Sequence, residues 1–440
     1  RAYVGIPSSA ILTSIVCFFV MHGPLSPMQA LCVLFSGSVG GGTCSGGYHG
    51  VARRSASVLR ARQRRANGAL IAGMPFARSG SFLPIRGIGS TVCHAKSDAS
   101  SGSPSPYSDL NEEKVMSDML GRIRECNYMP SEVREELVDF VVDGRTLGKA
   151  TRKVARLLCS SSPSDEPVFR MDDSEQRPNG QAVLTLTDAS GQTCDSRTDA
   201  VMSVMELLAS RGIIEGWRDE LYPVSDGFYS EPALLVERAA APFLGTLEYG
   251  VHVNGLLLPG RGRDDGSQLL GDMKMWIARR SATKSKYPGM LDHIVAGGQP
   301  AGLGLMENVV KECEEEAGVP QWLAREGASP VGAISYETFT PIHCQGDEDV
   351  DGVINRVVLF NYDLILPHEF KPSPVDGEVD DFFLWGIDDI KRSMALDYHD
   401  PIKPNCYLVI IDYLLRAGHI SPETPGYLDV LRELRSGSCC

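Results

Sequence analysis

The sequence predicts an α+β protein, with an N-terminal α+β block followed by an α/β/α sandwich built on a mixed sheet. Length is the first observation: 440 residues exceed one ordinary core and suggest two or three domains plus tails. Composition is the second, because 43% hydrophobic and 22% charged residues are ordinary for a soluble globular chain. The third is order, since strand-like and helix-like runs alternate irregularly after the first block rather than in strict βα succession. No internal repeat is visible.

Charge divides the chain. Residues 1–97 hold ten Lys or Arg and no acid; the first acid is Asp98. The remainder carries 32 basic and 56 acidic residues, too acidic for non-specific nucleic-acid binding. Phosphates can still bind where a divalent cation bridges the two negative partners. The twelve cysteines form no CxxC pair, so neither a zinc site nor a disulfide framework is indicated.

Beginning at Arg1 rather than Met, the chain is expected to be a fragment or a processed form. The apolar run Ala10 to Val20 is too short to span a bilayer comfortably and suits a signal-peptide core. An Arg/Ser-rich stretch follows, with Arg53, Arg54, Arg60, Arg62, Arg64 and Arg65. Together they resemble a bipartite organelle leader, plastid before mitochondrion; a cytoplasmic protein is expected if the leader is a gene-model artefact. No membrane insertion of the mature protein is expected. The Ser/Pro-rich stretch Ser97 to Ser108 closes a leader and linker at 1–108.

The first block is expected at 109–245. Glu112 to Cys126 has helical apolar spacing through Val115, Met119 and Ile123. Ser131 to Val142 reads as a second helix capped by Ser131, and Asp143-Gly144 as a turn. A helix around Arg152 to Leu158, a loop from Ser160 to Asp165, a strand at Val183 to Leu186 and a helix at Arg197 to Arg211 follow. The second block is expected at 246–425, with a tail at 426–440. Strands are expected at Ala233 to Glu237, Tyr249 to Leu258, Lys274 to Arg279, Gly332 to Tyr336, Arg356 to Tyr362 and Phe382 to Leu384. Helices are expected at Asn308 to Ala317 and Lys403 to Arg416. Asn254-Gly255 favours a turn or hairpin.

The chemistry is expected on the helix that follows Gly297-Gly298. Glu312, Glu315 and Glu316 stand at i, i+3 and i+4, so their carboxylates share one face. Like charges so placed repel, and a divalent cation reverses that sign. Mg²⁺ (or Mn²⁺) is the cation expected. The paired glycines allow a tight backbone turn, and Gly318 suits the residue after the helix. Taken on charge alone, the run also reads as a solvated acidic surface.

From Gly297 to Val319 the segment resembles the Nudix box. Its second half matches throughout, with Lys311 in the place of the family's Arg. The loop is one residue shorter counted from Gly298, and no Glu stands at the early position; Glu307 is the nearest acid. Wider matches resemble the thiamine pyrophosphokinase-related Nudix family, in which a domain of unknown function precedes the Nudix domain. They include Trp217 to Tyr222, Glu237 to Ala240, Tyr249 to Gly255, Trp276 to Ser281, Lys284, Tyr287 to Asp292, Asp376 to Val379 and Lys403 to Cys406. The resemblance implies that Glu312, Glu315 and Glu316 bind metal and that the substrate is a small-molecule diphosphate. Oxidised or damaged thiamine diphosphate, cleaved to the monophosphate, leads. An 8-oxo-guanine nucleoside diphosphate is the rival, and a non-catalytic ligand-binding module is opposed by the intact glutamate face. The cation would neutralise phosphate oxygens and acidify water for attack on phosphorus.

Arg279, Arg280 and Lys284 either recognise phosphate or form an edge-strand surface. Trp276 either stacks on a heteroaromatic ring or belongs to the core. Glu378, in the acidic loop Asp376 to Asp381, is either a late metal ligand or general base, or a solvated acid. His252 is expected to be structural, because no second His lies at metal-ligand spacing.

Overall fold

The computed structural model describes residues 111–173, 182–259, 273–342 and 350–437. The expected leader lies outside them. Helix α1 (Glu112–Cys126) forms as its spacing predicts, with the Asn111 side chain accepting from the Lys114 N–H at 3.1 Å. Its buried stripe of Val115, Met116, Met119 and Ile123 does not pack on the block that follows it in sequence. It joins the core formed by α9 (Pro404–Arg416) and α10 (Tyr427–Leu434). Arg122 fixes the docking, donating to the carbonyls of Met394 and Ala395 while its guanidinium lies 4.4 Å from the Tyr407 ring centroid. Placement of α1 in the first block therefore differs from its packing, because an apolar stripe demands burial without naming a partner. Part of the expected tail is helix α10 for a like reason: Val430 and Leu434 are buried.

The expected second helix stops early. Helix α2 covers only Ser131–Glu135, and Val138–Val142 is strand β1. Its alternating burial suits a sheet, and Asp143-Gly144, with φ of 51° and 75°, makes the two-residue turn into β2 (Arg145–Ala150). Asp143 is held by both Nη atoms of Arg197 at 2.8 Å. Helix α3 (Arg152–Ser160), β3 (Phe169–Asp172), β4 (Val183–Leu186) and α4 (Cys194–Ser210) complete a four-stranded sheet in the order β2-β1-β4-β3, covered by helices. An antiparallel hairpin, β5 (Leu221–Val224) with β6 (Leu234–Glu237), shares this core through Val224, Leu234 and Val236.

Helix α5 (Ala241–Leu244) leads into β7 (Leu247–Leu257), the central strand of the larger sheet. Gly245, at φ 55°, lies so close to β2 that a β-carbon would stand 1.7 Å from the Lys149 carbonyl oxygen. The larger sheet adds β8 (Lys274–Arg280), β9 (Leu291–His293), β10 (Val295–Gly298), β11 (Ala328–Pro341), β12 (Gly352–Ile365) and β13 (Val379–Gly386). Its order is β11-β12-β7-β8-β13, with β10 on β7 and β9 on β8; β12 runs parallel to β7, so the sheet is mixed as expected. One face packs α6 (Leu305–Ala317) and α7 (Gln321–Gly327) through Val309, Val310, Cys313 and Leu323. Against Leu256, Met275 and Ile277 pack α9, α1, α10 and α8 (Ile387–Ser393).

Asn254-Gly255 is not a turn; β7 runs straight through it. Asn254 donates to Asp363 Oδ1 at 3.0 Å, and a β-carbon at 255 would meet Ile294 at 2.8 Å. Close packing, not turning, requires that glycine. No helix among the described residues is long and apolar enough to cross a membrane.

Met119→Ala tests the docking of α1. Truncating this fully buried side chain should cost about 2–5 kcal/mol of stability, read by chemical denaturation of the whole chain. A loss below about 0.5 kcal/mol, the range of surface changes, contradicts the packing.

Candidate active site

Helix α6 is delimited by its own sequence. The Gly304 N–H faces Glu307 Oε2 at 3.4 Å, and Gly318, left-handed at φ 62°, donates to the Glu314 carbonyl at 3.2 Å. Glu307 thus caps the helix start. Between those ends Val309, Val310 and Cys313 seat the helix on the sheet, which turns Glu312 and Glu316 inward and leaves Glu314 exposed. Glu316 is 7% exposed, and its Oε2 accepts from the Ala296 N–H at 2.9 Å. Glu315 stays exposed. Lys311 bridges its neighbours, with Nζ 3.0 Å from Glu312 Oε1 and 2.8 Å from Glu315 Oε2.

Burial, and then the charge of Glu312, pushes the Glu316 carboxyl well above the usual carboxylate range. Burial raises Glu312 as well, against the pull of Lys311. Burial alone would lower Lys311, but Glu315 and Glu312 outweigh it and hold the lysine charged. Three carboxyls therefore face the one lysine paired with them and the more distant charge of Lys284, an acidic excess that groups among the described residues do not neutralise. Oxygen donors carrying excess negative charge are what a hard divalent cation selects, so the residues fit such an ion.

The paired glycines make the site possible. A β-carbon at 297 would stand 2.4 Å from Glu312 Cδ, and one at 298 would stand 1.8 Å from the Tyr222 hydroxyl and 2.9 Å from Arg238 Cζ. Asn308 donates to the Gly298 carbonyl at 2.7 Å and ties the strand to α6.

Other expected residues divide. Lys284 is ion-paired with Glu378, whose other oxygen lies 3.3 Å from Arg218 Nη1. Burial raises Glu378, but Lys284, Arg218 and Arg238 outweigh it and hold the carboxylate ionised. Lys284 also acts electrostatically on Glu316, so Lys284 and Glu378 belong to this neighbourhood. Arg279 is instead committed to a two-pronged pair with Asp400 at 2.6 Å. Arg280 is buried on Asp292 at 2.6 Å and on the carbonyls of Tyr287 and Lys286. Both arginines are occupied by the fold itself, which sequence spacing could not reveal. Trp276 packs with the α6 core cluster, and among the described residues its buried Nε1 has no hydrogen-bond partner.

Two features escaped the sequence reading. His252 does have a second histidine beside it: the Nδ1 atoms of His252 and His293 are 3.1 Å apart, and with Cys406 their donor atoms fall within 4.8 Å. Strand pairing brings residues 41 positions apart together, which linear spacing does not report. The cluster adjoins Asp292, which accepts from the Cys406 thiol at 2.7 Å. Burial pushes His293 down to about 4, so the ring is neutral and serves a buried polar network. The second feature is Arg218, Glu220, Tyr222 and Arg238 around the hairpin of the preceding block; only their place in the family-like segments marked them.

Residues 118–248 match a family model described as Domain of unknown function (DUF4743). Nudix hydrolase 20, chloroplastic, of Arabidopsis thaliana is 40% identical over 328 residues, covering 73% of this chain and 80% of that protein. Nudix hydrolase 24, chloroplastic, of the same plant is 45% identical over 246 residues, covering 56% of this chain and 61% of its own. Among solved structures, a MutT/nudix family protein from Enterococcus faecalis is 16% identical with a TM-score of 0.28, over 42% of this chain and 68% of that one. Identity to the two plant proteins makes this protein a hydrolase acting on pyrophosphate bonds. More particularly, the extent of its identity to the first of these relatives makes the chain a member of the Nudix hydrolases.

Gly297→Ala should leave the fold intact and cut hydrolase activity by about 100-fold, because Glu312 must move by more than the ~1 Å that already costs such a factor. Steady-state kinetics beside a melting curve reads this; wild-type turnover in a folded variant contradicts the geometry.

Proposed function

We propose that this protein cleaves the phosphoanhydride of a small organic diphosphate at the glutamate face of α6. The observation that carries this reading is the acidic excess of Glu312, Glu315 and Glu316, partly buried, which among the described residues is ion-paired through Lys311, with Lys284 acting on Glu316 from a distance. These three residues would hold the divalent cation, Mg²⁺ or Mn²⁺. When bound, that ion supplies Lewis-acid stabilisation of charge on the phosphate oxygens. The chain's own groups do the rest. Ala296 N–H orients Glu316, and Lys311 orients Glu312 and Glu315. Glu378, kept ionised by Lys284 and Arg218, is an acceptor able to take a proton from the attacking water. Lys284 offers the transferred phosphoryl group a positive charge.

Oxidised or damaged thiamine diphosphate is the leading substrate. Support comes from the spread of thiamine pyrophosphokinase-related segments over the folded chain, from Trp217 to Cys406. The competing substrate, 8-oxo-guanine nucleoside diphosphate, belongs in the same assay panel. We read residues 138–245 as a substrate-side domain and residues 246–437, with α1, as the hydrolase domain. Two similar plant proteins carry the word chloroplastic in their names, and the acid-free leader agrees with a plastid destination.

Activity should vanish in EDTA and return with Mg²⁺ or Mn²⁺; turnover that persists in chelator sinks the mechanism. Glu312→Gln and Glu316→Gln should each lower kcat by about 10²-fold or more, the several kcal/mol expected of lost charge stabilisation. Their melting temperatures should hold or rise, since Gln relieves like-charge repulsion. Glu314→Gln, on the exposed side, should be nearly silent. Equal small losses at all three positions would reduce the run to a solvated surface. A fluorescent reporter carrying the leader should enter an organelle, and a diffuse cytosolic signal contradicts the plastid reading.

A further inference from the structure

The preceding block reaches the α6 site through the β5–β6 hairpin. The Ala301 N–H of the motif loop donates to the Leu221 carbonyl at 2.9 Å, so loop and hairpin are bonded backbone to backbone. Buried Glu237 accepts from the backbone N–H groups of Arg218, Glu220 and Ala239 at 2.9, 3.1 and 3.3 Å. That fan of bonds fixes the chain on both sides of Arg238. The Arg238 guanidinium donates from Nη1 to Glu220 Oε2 at 2.9 Å and lies 5.6 Å from the Tyr222 ring centroid. The absence of a side chain at Gly298 admits it.

Arg279 spends both Nη groups and Arg280 all three nitrogens on the fold, whereas Arg238 spends only Nη1. Its side chain is 38% exposed, and among the described residues Nε and Nη2 have no hydrogen-bond partner. Two parallel donors on a planar, pre-oriented fork match a phosphate oxygen pair. Behind it, β7 carries Glu248 on the side of Gly250, the register partner of Gly298. Glu248 Oε1 is buried and meets no donor among the described residues, although the charges of Arg238 and Lys286 reach it. A buried acceptor left unmet is costly, and a ligand bearing an N–H would satisfy it.

We propose that the hairpin completes the Nudix centre as its ligand subsite. Arg238 grips a diphosphate through Nε and Nη2, Glu220 is its positioning residue, and Glu248 accepts an N–H from the ligand's organic head. The choice of ligand rests on the diphosphate reading above; the assignment of the subsite rests on the geometry of the hairpin.

Calorimetry on the whole chain with Mg²⁺ tests this with two non-hydrolysable probes. One is methylenediphosphonate, which has no head; the other is thiamine diphosphate with its bridging oxygen replaced by CH₂. Arg238→Lys should weaken both by roughly 10-fold or more, the worth of charge-assisted hydrogen bonds. Gly298→Ala leaves the arginine in the chain but fills its place, and should weaken both by an independent route. Glu220→Gln should raise KM several-fold with kcat nearly unchanged, a split that general destabilisation does not produce. Glu248→Met should weaken only the thiamine-type probe, about 10-fold, and raise the melting temperature. Unchanged binding in folded Arg238→Lys and Gly298→Ala overturns the subsite. Equal weakening of both probes by Glu248→Met overturns the head contact. Should wild type bind both probes through Arg238 yet hydrolyse no diphosphate, the substrate reading falls and the subsite stands.

Discussion

The site depends on two adjacent glycines that remove side chains from both faces of one strand. Successive strand residues face opposite sides, so Gly297 and Gly298 open β10 in both directions. On one side Glu312 lies where a β-carbon at 297 would be, and on the other Tyr222 and Arg238 occupy the space of one at 298. Both halves of the chain therefore close on the same piece of backbone. Had either residue carried even a methyl group, the Glu312 carboxylate on one side, or the ends of the Tyr222 and Arg238 side chains on the other, would have to shift out of its way.

Closing that tightly forces like charges into a poorly solvated place. Glu316 shares one backbone N–H, Glu312 shares one lysine, and both carboxyls are raised by burial. The core residues Val309, Val310 and Cys313 hold α6 in that unfavourable register, so apolar packing sustains the electrostatic tension. On the opposite face the balance is reversed. Asp292 is held well below the usual carboxylate range, because Lys403 and Arg280 outweigh its burial. That satisfied network anchors β8, β9 and α9, while the unsatisfied one is left for a ligand.

The two blocks are not independent beads. Helix α1 crosses from the start of the described chain to pack on α9 and α10, and Gly245 lets β2 pack against the entry to β7. With the hairpin bonded to the motif loop, the preceding block shares responsibility for the shape of the site. A rigid two-sided frame suits a reaction in which reacting groups must be held closely.

Local periodicity made much of this legible. Helix α1, strand β4, helix α9 and the acidic helix follow from spacing, and i, i+3, i+4 geometry alone put three carboxylates on one face. Where local signals compete, long-range packing decided. Val138 to Val142 continued a plausible helix until β2 and β4 supplied strand partners, and Asn254-Gly255 looked like a turn until Ile294 and Asp363 claimed it. Partner choice is likewise invisible along the chain: nothing in Arg279, Arg280 and Arg238 as letters says that the first two are consumed by Asp400 and Asp292. The sequence by itself determined the acidic helix face, because helical geometry depends only on near neighbours. Only the tertiary structure decided which side chains stand opposite it, because strand register and close backbone approach join residues that are tens of positions apart.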